Sequence, residues 1–434
     1  MSWLNLGSFA GFLVLASLGW AAGGFARPLR WRTLLGSAAL MLVLGFFLFL
    51  LPVSRTLLIA TNDVVLAVLA AGNQGALFLL GPLAVSPGSS TPAGEPSVGF
   101  VLAAQVLPAV VFFAALMAAL YHVGLMQPVV RLLARLFHRT LALSGAESLA
   151  GASNVFVGVE SAMAVRPYLD RMTRSELLTL MTCGMSTVAA TTLAVYVLFL
   201  RDSFPLIAGH LVSASVLSIP AAAMVSKLIL PETERPATLG HVPRGEHGEP
   251  QPNTLAALMA GSGEGLRMAA GIAALLIAVL GVVALVDLVL VGATAPLADV
   301  LNGPVDLSRI LGWVFMPLAW LLGIEASDLP AAARILGART VLTEVVAYQQ
   351  LAALASGQEV SARTLVVLSY ALCGFAHVAS VGIFVGGISA LAPARRKDLA
   401  VLGPRALIGA TLATLMTGAL AGVFYHGQQG LLGL

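Results

Sequence analysis

Charge is what this sequence has least of. Of 434 residues only 10% are Asp, Glu, Lys or Arg, against 59% hydrophobic residues, and the mean hydropathy is +0.95. A soluble domain carries about 25% charged residues. No water-soluble fold hides that much apolar surface, so the bilayer is the remaining solvent. Cysteine is almost missing: Cys183 and Cys373 each lie inside an apolar segment, which argues against a disulfide framework or a cysteine-ligated zinc site. GxxxxGK[ST], HExxH and GxSxG are all absent, leaving no phosphate loop, zinc-protease helix or nucleophile elbow to read. The first apolar run, Leu4–Phe25, lacks a basic start and is followed by Arg27, Arg30 and Arg32. It is read as a retained span, not a signal peptide. The net charge of +3 is spread in short groups between apolar runs, a pattern of membrane loops that excludes a nucleic-acid patch.

Apolar runs long enough to span number eight: Leu4–Phe25, Leu34–Leu51, Phe100–Val123, Leu177–Leu200, Ile207–Ile229, Met268–Leu290, Leu365–Leu391 and Val401–Phe424. Basic groups follow spans one, three, five and seven: Arg27/Arg30/Arg32, Arg131/Arg135/Arg139, Lys227/Arg235/Arg244 and Arg395/Arg396/Lys397. Placing all of them in the cytoplasm puts both termini in the periplasm of a bacterial inner membrane. Val85–Ser97, without a basic residue, falls outside, and Pro236–Asn253 reads as a cytoplasmic linker between halves.

Three regions resist this scheme. Thr56–Leu80 contains Asn62, Asp63, Asn73 and Gln74 and reads as an interfacial helix. Ser144–Tyr168 and Leu311–Tyr348 are apolar but broken by Gly, Pro and Glu. The span count makes each of them enter and leave on one side, as a re-entrant hairpin, which lipid tolerates only where protein or a water-filled cavity surrounds it. An internal repeat supports the pairing. Cys183-Gly184-Met185-Ser186-Thr187-Val188-Ala189 and Cys373-Gly374-Phe375-Ala376-His377-Val378-Ala379 both read CGxxxVA, in spans that run in opposite directions. Inverted units with broken segments point to a secondary transporter with a midplane site.

A carboxylate at membrane depth costs about 2.5–3.5 kcal/mol on insertion scales. Glu160 and Glu344, in the two broken regions, are the candidates, unless each merely pairs with Arg166 or Arg339. Glu147 reads as a helix cap and Asp287 as an interfacial residue. Asn154, Thr187 and Ser380 either hydrogen-bond between helices or offer oxygens to a hard cation. His377 is taken as the only histidine deep in a span; if it touches solute, affinity should change between pH 5 and 8. A different-class alternative, an intramembrane hydrolase using Glu160, Glu344 and His377, lacks a nucleophile–base pair.

With these residues in view the chain resembles the concentrative nucleoside transporter family nearly end to end. Gln105–Pro108 and Leu120–Gln127 resemble its third span; Asn154–Gly158, Glu160 and Val165–Tyr168 its first hairpin; Pro231–Pro236 its motif after span five. Thr340-Val341, Glu344 and Val346–Tyr348 resemble its second hairpin, Tyr370–Ala376 its seventh span and Leu391–Arg396 the following loop. The resemblance implies an all-α polytopic membrane protein, with eight transmembrane helices and two re-entrant helical hairpins in inverted repeats. It further implies a homotrimer and elevator-type, ion-coupled import of nucleosides. The corresponding division is scaffold 1–125, first transport repeat 126–230, linker 231–253, scaffold span six 254–306 and second transport repeat 307–434.

By the same resemblance Glu344, His377 and Ser380 take the ribose side of a nucleoside and Gly158, Glu160 and Val188 the base side, with Val159 and Phe375 also among the substrate-binding residues. Sodium would meet the Asn154 and Thr187 side chains and the Val157 and Val188 carbonyls. The sequence departs from the family at Gly158-Val159-Glu160, where the tip usually reads G-Q-T-E. Thr343-Glu344 stands for N-E, and Phe375-Ala376-His377 for F-A-N. The framework is kept while both halves of the nucleoside site change, so a non-nucleoside polar solute stays open, as does proton coupling through the titratable groups.

Overall fold

The computed structural model describes residues 3–85, 89–91, 94–243, 251–297 and 303–427; the side chains of Pro52, Val159, Glu160, Thr191 and Leu297 lie outside the description. The fold is built almost wholly from helices. In chain order they are α1 Trp3–Ala22, α2 Trp31–Leu50, α3 Pro52–Leu80, α4 Leu107–His122, α5 Met126–Leu141, α6 Gly145–Asn154, α7 Arg174–Ser186 and α8 Ala190–Leu200. There follow α9 Ile207–Ile229, α10 Thr254–Thr294, α11 Leu307–Leu321, α12 Leu329–Val341, α13 Glu344–Ser356, α14 Ala362–Ala371, α15 Val378–Leu391 and α16 Arg396–Phe424.

The expected spans are present, with one correction. Spans four and seven are not continuous: each breaks into half-helices, α7/α8 and α14/α15, at the CGxxxVA repeat. The shared glycines explain where the breaks fall. A Cβ on Gly184 would sit 2.1 Å from Phe384 Cε1, and one on Gly374 would sit 2.9 Å from the Ser186 carbonyl. Each break is therefore pressed against the opposite broken span, closer than any side chain allows. Residues 56–80, read as an interfacial helix, belong to one 29-residue helix from Pro52. By length and apolar content it is able to cross a bilayer, despite its polar pairs.

The two broken regions form the hairpins. The α6 helix and the 3₁₀ stretch Val159–Arg171 pack on each other, as do α12 and α13. The inverted relation shows in the partners: the 3₁₀ arm packs on α15, while α13 packs on α8. Each hairpin thus leans on the second half-helix of the opposite repeat. Around them α1, α2 and α9 pack with α16, while α4 packs chiefly on α10. The latter pair is joined through small residues: Ala257, Gly261, Gly265 and Ala269 are the buried stripe of α10. Their four-residue spacing lets the backbones approach closely in an apolar solvent. At 41 residues α10 is about 60 Å long, twice the hydrocarbon thickness.

One end of the bundle is fastened by buried charge. Ser144 and Thr173 open α6 and α7 with capping boxes to Glu147 and Glu176. The boxes interlock, because Ser144 Oγ also donates to Glu176 Oε1 at 2.6 Å. Lys227 of α9 lies 2.6 Å from Glu147 Oε1 and 3.7 Å from Glu232 Oε2, and donates to Ser175 Oγ at 2.9 Å. Thr173 Oγ1 donates to Glu232 Oε2. Glu147 is indeed a cap, as its sequence position suggests, and also half of a buried ion pair. His210 corrects a further expectation: like His377 it is buried, in α9, with its ring Nδ1 2.9 Å from the Tyr370 hydroxyl.

Candidate transport site

The second hairpin turns at Leu342-Thr343, and Thr343 caps α13 by accepting the Val346 N–H. Glu344 is the first residue of that helix and is buried. His377 caps α15 in the same manner, its side chain accepting the Ser380 N–H. The two helix starts meet: His377 Nε2 lies 3.2 Å from Glu344 Oε2, and the Tyr196 hydroxyl donates to Glu344 Oε1 at 2.8 Å. Each helix N-terminus carries roughly half a positive charge. Two of them, a phenol and an imidazole N–H make a setting in which a dehydrated carboxylate persists.

Arg339 does not neutralise Glu344 by contact. Its Nη1 donates to the Ala371 carbonyl at 2.6 Å and to Thr414 Oγ1 at 2.7 Å. The guanidinium thus sits at the C-terminal end of α14 while the carboxylate sits at the N-terminal end of α15. Each charge faces the half-helix end of opposite polarity. Arg166, the other proposed partner, is exposed.

The hydrogen bonds of His377 fix its tautomer. Nδ1 accepts the Ser380 N–H at 3.3 Å, so the ring proton is on Nε2, donated toward Glu344. Ser380 Oγ in turn donates to the His377 carbonyl at 2.6 Å. His377 therefore lies between the Ser380 N–H and Glu344 and positions the carboxylate.

Sequence alone does not single out Tyr196. It is fully buried in α8 and stacks on Tyr348 of α13, with ring centroids 4.3 Å apart and 16° between planes. Tyr348 donates to the Ser369 carbonyl at 2.7 Å. The only sequence signal is its polar tip in an apolar run; its partner lies 148 residues away.

The first hairpin meets the break in span four. The Ala190 N–H, opening α8, donates to the Phe156 carbonyl at 3.1 Å. Asn154 ends α6, fully buried, and accepts the Ser161 hydroxyl on its Oδ1 at 2.8 Å. Thr187 is in extended backbone with its hydroxyl proton given to the Cys183 carbonyl at 3.0 Å. Ser215 of α9 links the two breaks, its Oγ 3.5 Å from the Val188 carbonyl and 3.7 Å from Cys373 Sγ. Val157 and Gly158 at the first hairpin tip, and Phe375 in the break of span seven, are half-buried, and the side chains of Val159 and Glu160 lie outside the described residues. The oxygens of Asn154 and Thr187 retain lone pairs: Asn154 Oδ1 accepts one hydroxyl proton, from Ser161, and the Thr187 proton is turned to the Cys183 carbonyl. That donor chemistry fits a hard monovalent cation, which prefers neutral oxygens.

Comparison with known proteins agrees with this architecture. Three family models match in sequence: "Na+ dependent nucleoside transporter N-terminus" over residues 10–83, "Nucleoside recognition" over 103–203 and "Na+ dependent nucleoside transporter C-terminus" over 210–422. An uncharacterized transporter of Haemophilus influenzae is 34% identical, covering 96% of this chain and 97% of its own. Sodium/nucleoside cotransporter 1 of Rattus norvegicus is 36% identical over 97% of this chain, which spans 64% of that protein's length. Among solved structures, CNTnw in an inward-facing substrate-bound state superposes with a TM-score of 0.85 at 32% identity, covering 97% of this chain and 98% of that one. A variant of CNTnw in an outward-facing state gives 0.87 at 33% identity, with 98% of each chain covered.

Proposed function

This chain belongs to the concentrative nucleoside transporter family and is a multi-pass membrane transporter, not an enzyme; from that premise we propose that it imports nucleosides or close analogues, driven by sodium. The observation that carries the proposal is Glu344, buried where two helix starts meet and held by Tyr196 and His377. A carboxylate kept dehydrated at that cost is available to polar groups of a solute. In this reading Glu344 and Ser380 face the sugar, with His377 and Tyr196 orienting the carboxylate. Gly158, Val159, Glu160 and Val188 face the base, and Phe375 lies beside the site in the break of span seven. Sodium is held by Asn154, Thr187 and the carbonyls of Val157 and Val188.

Packing supports an elevator in which α4 and α10 form the static part and the hairpins ride with α7–α9 and α14–α16. Because α1 packs on α16 and α2 on α9, we assign both to the moving body, although residues 1–125 read as scaffold by sequence. Broad exposed apolar surface on α10, including Leu266, Ile277, Leu285 and Leu288, suits lipid and the subunit contacts of a homotrimer in a bacterial inner membrane with both termini periplasmic.

A second reading, a non-nucleoside polar solute, is favoured by one observation: the Tyr196 hydroxyl donates to one oxygen of Glu344 and His377 lies 3.2 Å from the other, leaving less room at the carboxylate for a ribose. The test is uptake of a nucleoside panel by proteoliposomes under an inward sodium gradient, a potassium gradient and a pH gradient. Sodium should raise uptake of at least one nucleoside about tenfold or more over potassium. Uptake driven by the pH gradient alone would replace sodium with a proton, and inert nucleosides beside a transported sugar or nucleobase would overturn the solute assignment.

A further inference from the structure

From sequence the segment after α4 reads only as a basic loop, yet Met126–Leu141 is the most sharply segregated helix of the chain. Met126, Val130, Ala134, Phe137 and Leu141 are buried against the protein. At about 100° per residue they form one sector, and two other sectors face outward. The first is apolar: Leu125, Val129, Leu132 and Leu136 are exposed, Leu132 by 66%. The second is basic: Arg131, Arg135 and Arg139 recur every fourth residue and are exposed. Among the described residues none of the three is paired with a carboxylate.

The elements packed on α5 supply no counter-anion. Its neighbours are α6 and α2, with slighter contact to α4 and α9. The sequence has no acidic residue before Asp63 and none between Glu95 and Glu147. α9 has none either, and Glu147 on α6 is buried and paired with Lys227. Three cations in a row, beside an apolar stripe and with no acid in reach among the described residues, call for an anion from outside the protein. An exposed leucine stripe in an adjacent sector says that this anion is attached to an acyl chain.

We propose that α5 binds anionic phospholipid of the leaflet it faces, with Arg131, Arg135 and Arg139 on the headgroup phosphates and Leu125, Val129, Leu132 and Leu136 among the acyl chains. The position gives the site a consequence. α5 is the strut between α4, which packs on α10, and α6, the first arm of hairpin one. It is bounded by left-handed residues, Gly124 at φ +86 and Ala142 at φ +51, and pinned near its far end, where a Cβ on Gly36 would lie 2.0 Å from the Thr140 carbonyl. Lipid held there binds at the joint between two bodies of the protein.

The test uses the full-length protein in nanodiscs of equal phosphatidylglycerol and phosphatidylcholine, extracted into mild detergent, with retained lipid identified by native mass spectrometry. Each basic side chain near an anionic surface multiplies affinity about fivefold. The native protein should retain phosphatidylglycerol in at least about tenfold excess, and R131Q/R135Q/R139Q should retain the two lipids near parity. The matching triple lysine variant should keep most of the preference. Equal phosphatidylglycerol retention by the native and triple-glutamine proteins would overturn the proposal. So would complete displacement of the lipid by millimolar inorganic phosphate, which would mark a headgroup-only anion site. Should the triple variant fold poorly by thermal melting, the single Gln substitutions, each expected to lower the preference two- to fivefold, carry the same test.

Discussion

Replacing Glu344 with Gln is expected to lower uptake at least about a hundredfold in proteoliposomes while leaving the protein folded. The exchange keeps shape and removes charge. Hydrogen bonds to an ionised acceptor contribute about 1.5–3 kcal/mol each, against about 0.5–1.5 for neutral partners. Glu344 accepts one such bond, from the Tyr196 hydroxyl, and has the His377 ring nitrogen 3.2 Å from its other oxygen. A glutamine offers one oxygen and one NH₂. The Tyr196 hydroxyl can rotate to accept, but His377 cannot, because Nδ1 is held by the Ser380 N–H and the ring must keep its proton on Nε2. The amide must therefore turn its oxygen to His377 and its NH₂ to Tyr196, and the solute meets a neutral group pinned in one orientation. Tyr196→Phe removes one donor and keeps the charge, so a milder loss, on the order of tenfold, is expected. Thermal melting in detergent separates a lost site from a lost fold. Undiminished uptake by E344Q would remove this carboxylate from the solute site.

The largest effect on stability is expected at Lys227. Its ammonium is buried to 3% exposure among Glu147, Glu176 and Glu232, themselves 4% exposed or less. Lys227→Met leaves these carboxylates without their cation, and removing one partner of a buried pair costs about 3–5 kcal/mol. The same reasoning predicts partial rescue: K227M combined with E147Q should recover a large part of that loss, since the uncompensated charge closest to the lysine is then also gone. A double-mutant cycle by equilibrium unfolding in mixed micelles reads the coupling directly. Additive effects of the two substitutions would mean the 2.6 Å contact contributes nothing specific.

The hairpins are legible in the sequence because lipid makes broken backbone conspicuous. Gly, Pro and Glu interrupting an apolar run free backbone groups that hydrocarbon does not satisfy, so such a run has to fold back inside protein. α6 and α12–α13 fall where those residues interrupt Ser144–Tyr168 and Leu311–Tyr348. The breaks in spans four and seven are not legible as breaks, since hydropathy averaged over about 20 residues is blind to a few extended ones. The CGxxxVA repeat marks them, but its meaning lies in the crossing: Gly184 is small because Phe384 fills its face, and Gly374 because Ser186 does. Tyr196 and Lys227 are obscured for related reasons. One looks like an aromatic in an apolar run, the other like a topology signal, and each acquires its role from partners distant in sequence. In α5 the i, i+4 rhythm of Met126, Val130 and Ala134 is present in the sequence, but three arginines in the same stretch give it the look of a loop.

The proposed coupling requires solute and sodium to be held together between the broken segments of the two inverted repeats. Equilibrium binding of the best nucleoside to purified protein, in sodium and then in potassium at equal ionic strength, tests that most directly. Sodium should tighten Kd at least about tenfold in the native protein and by less than about twofold in Asn154→Ala. Equal affinity in the two salts, or an undiminished sodium effect in the variant, would mean that the ion and the solute do not share the site between the hairpin tips.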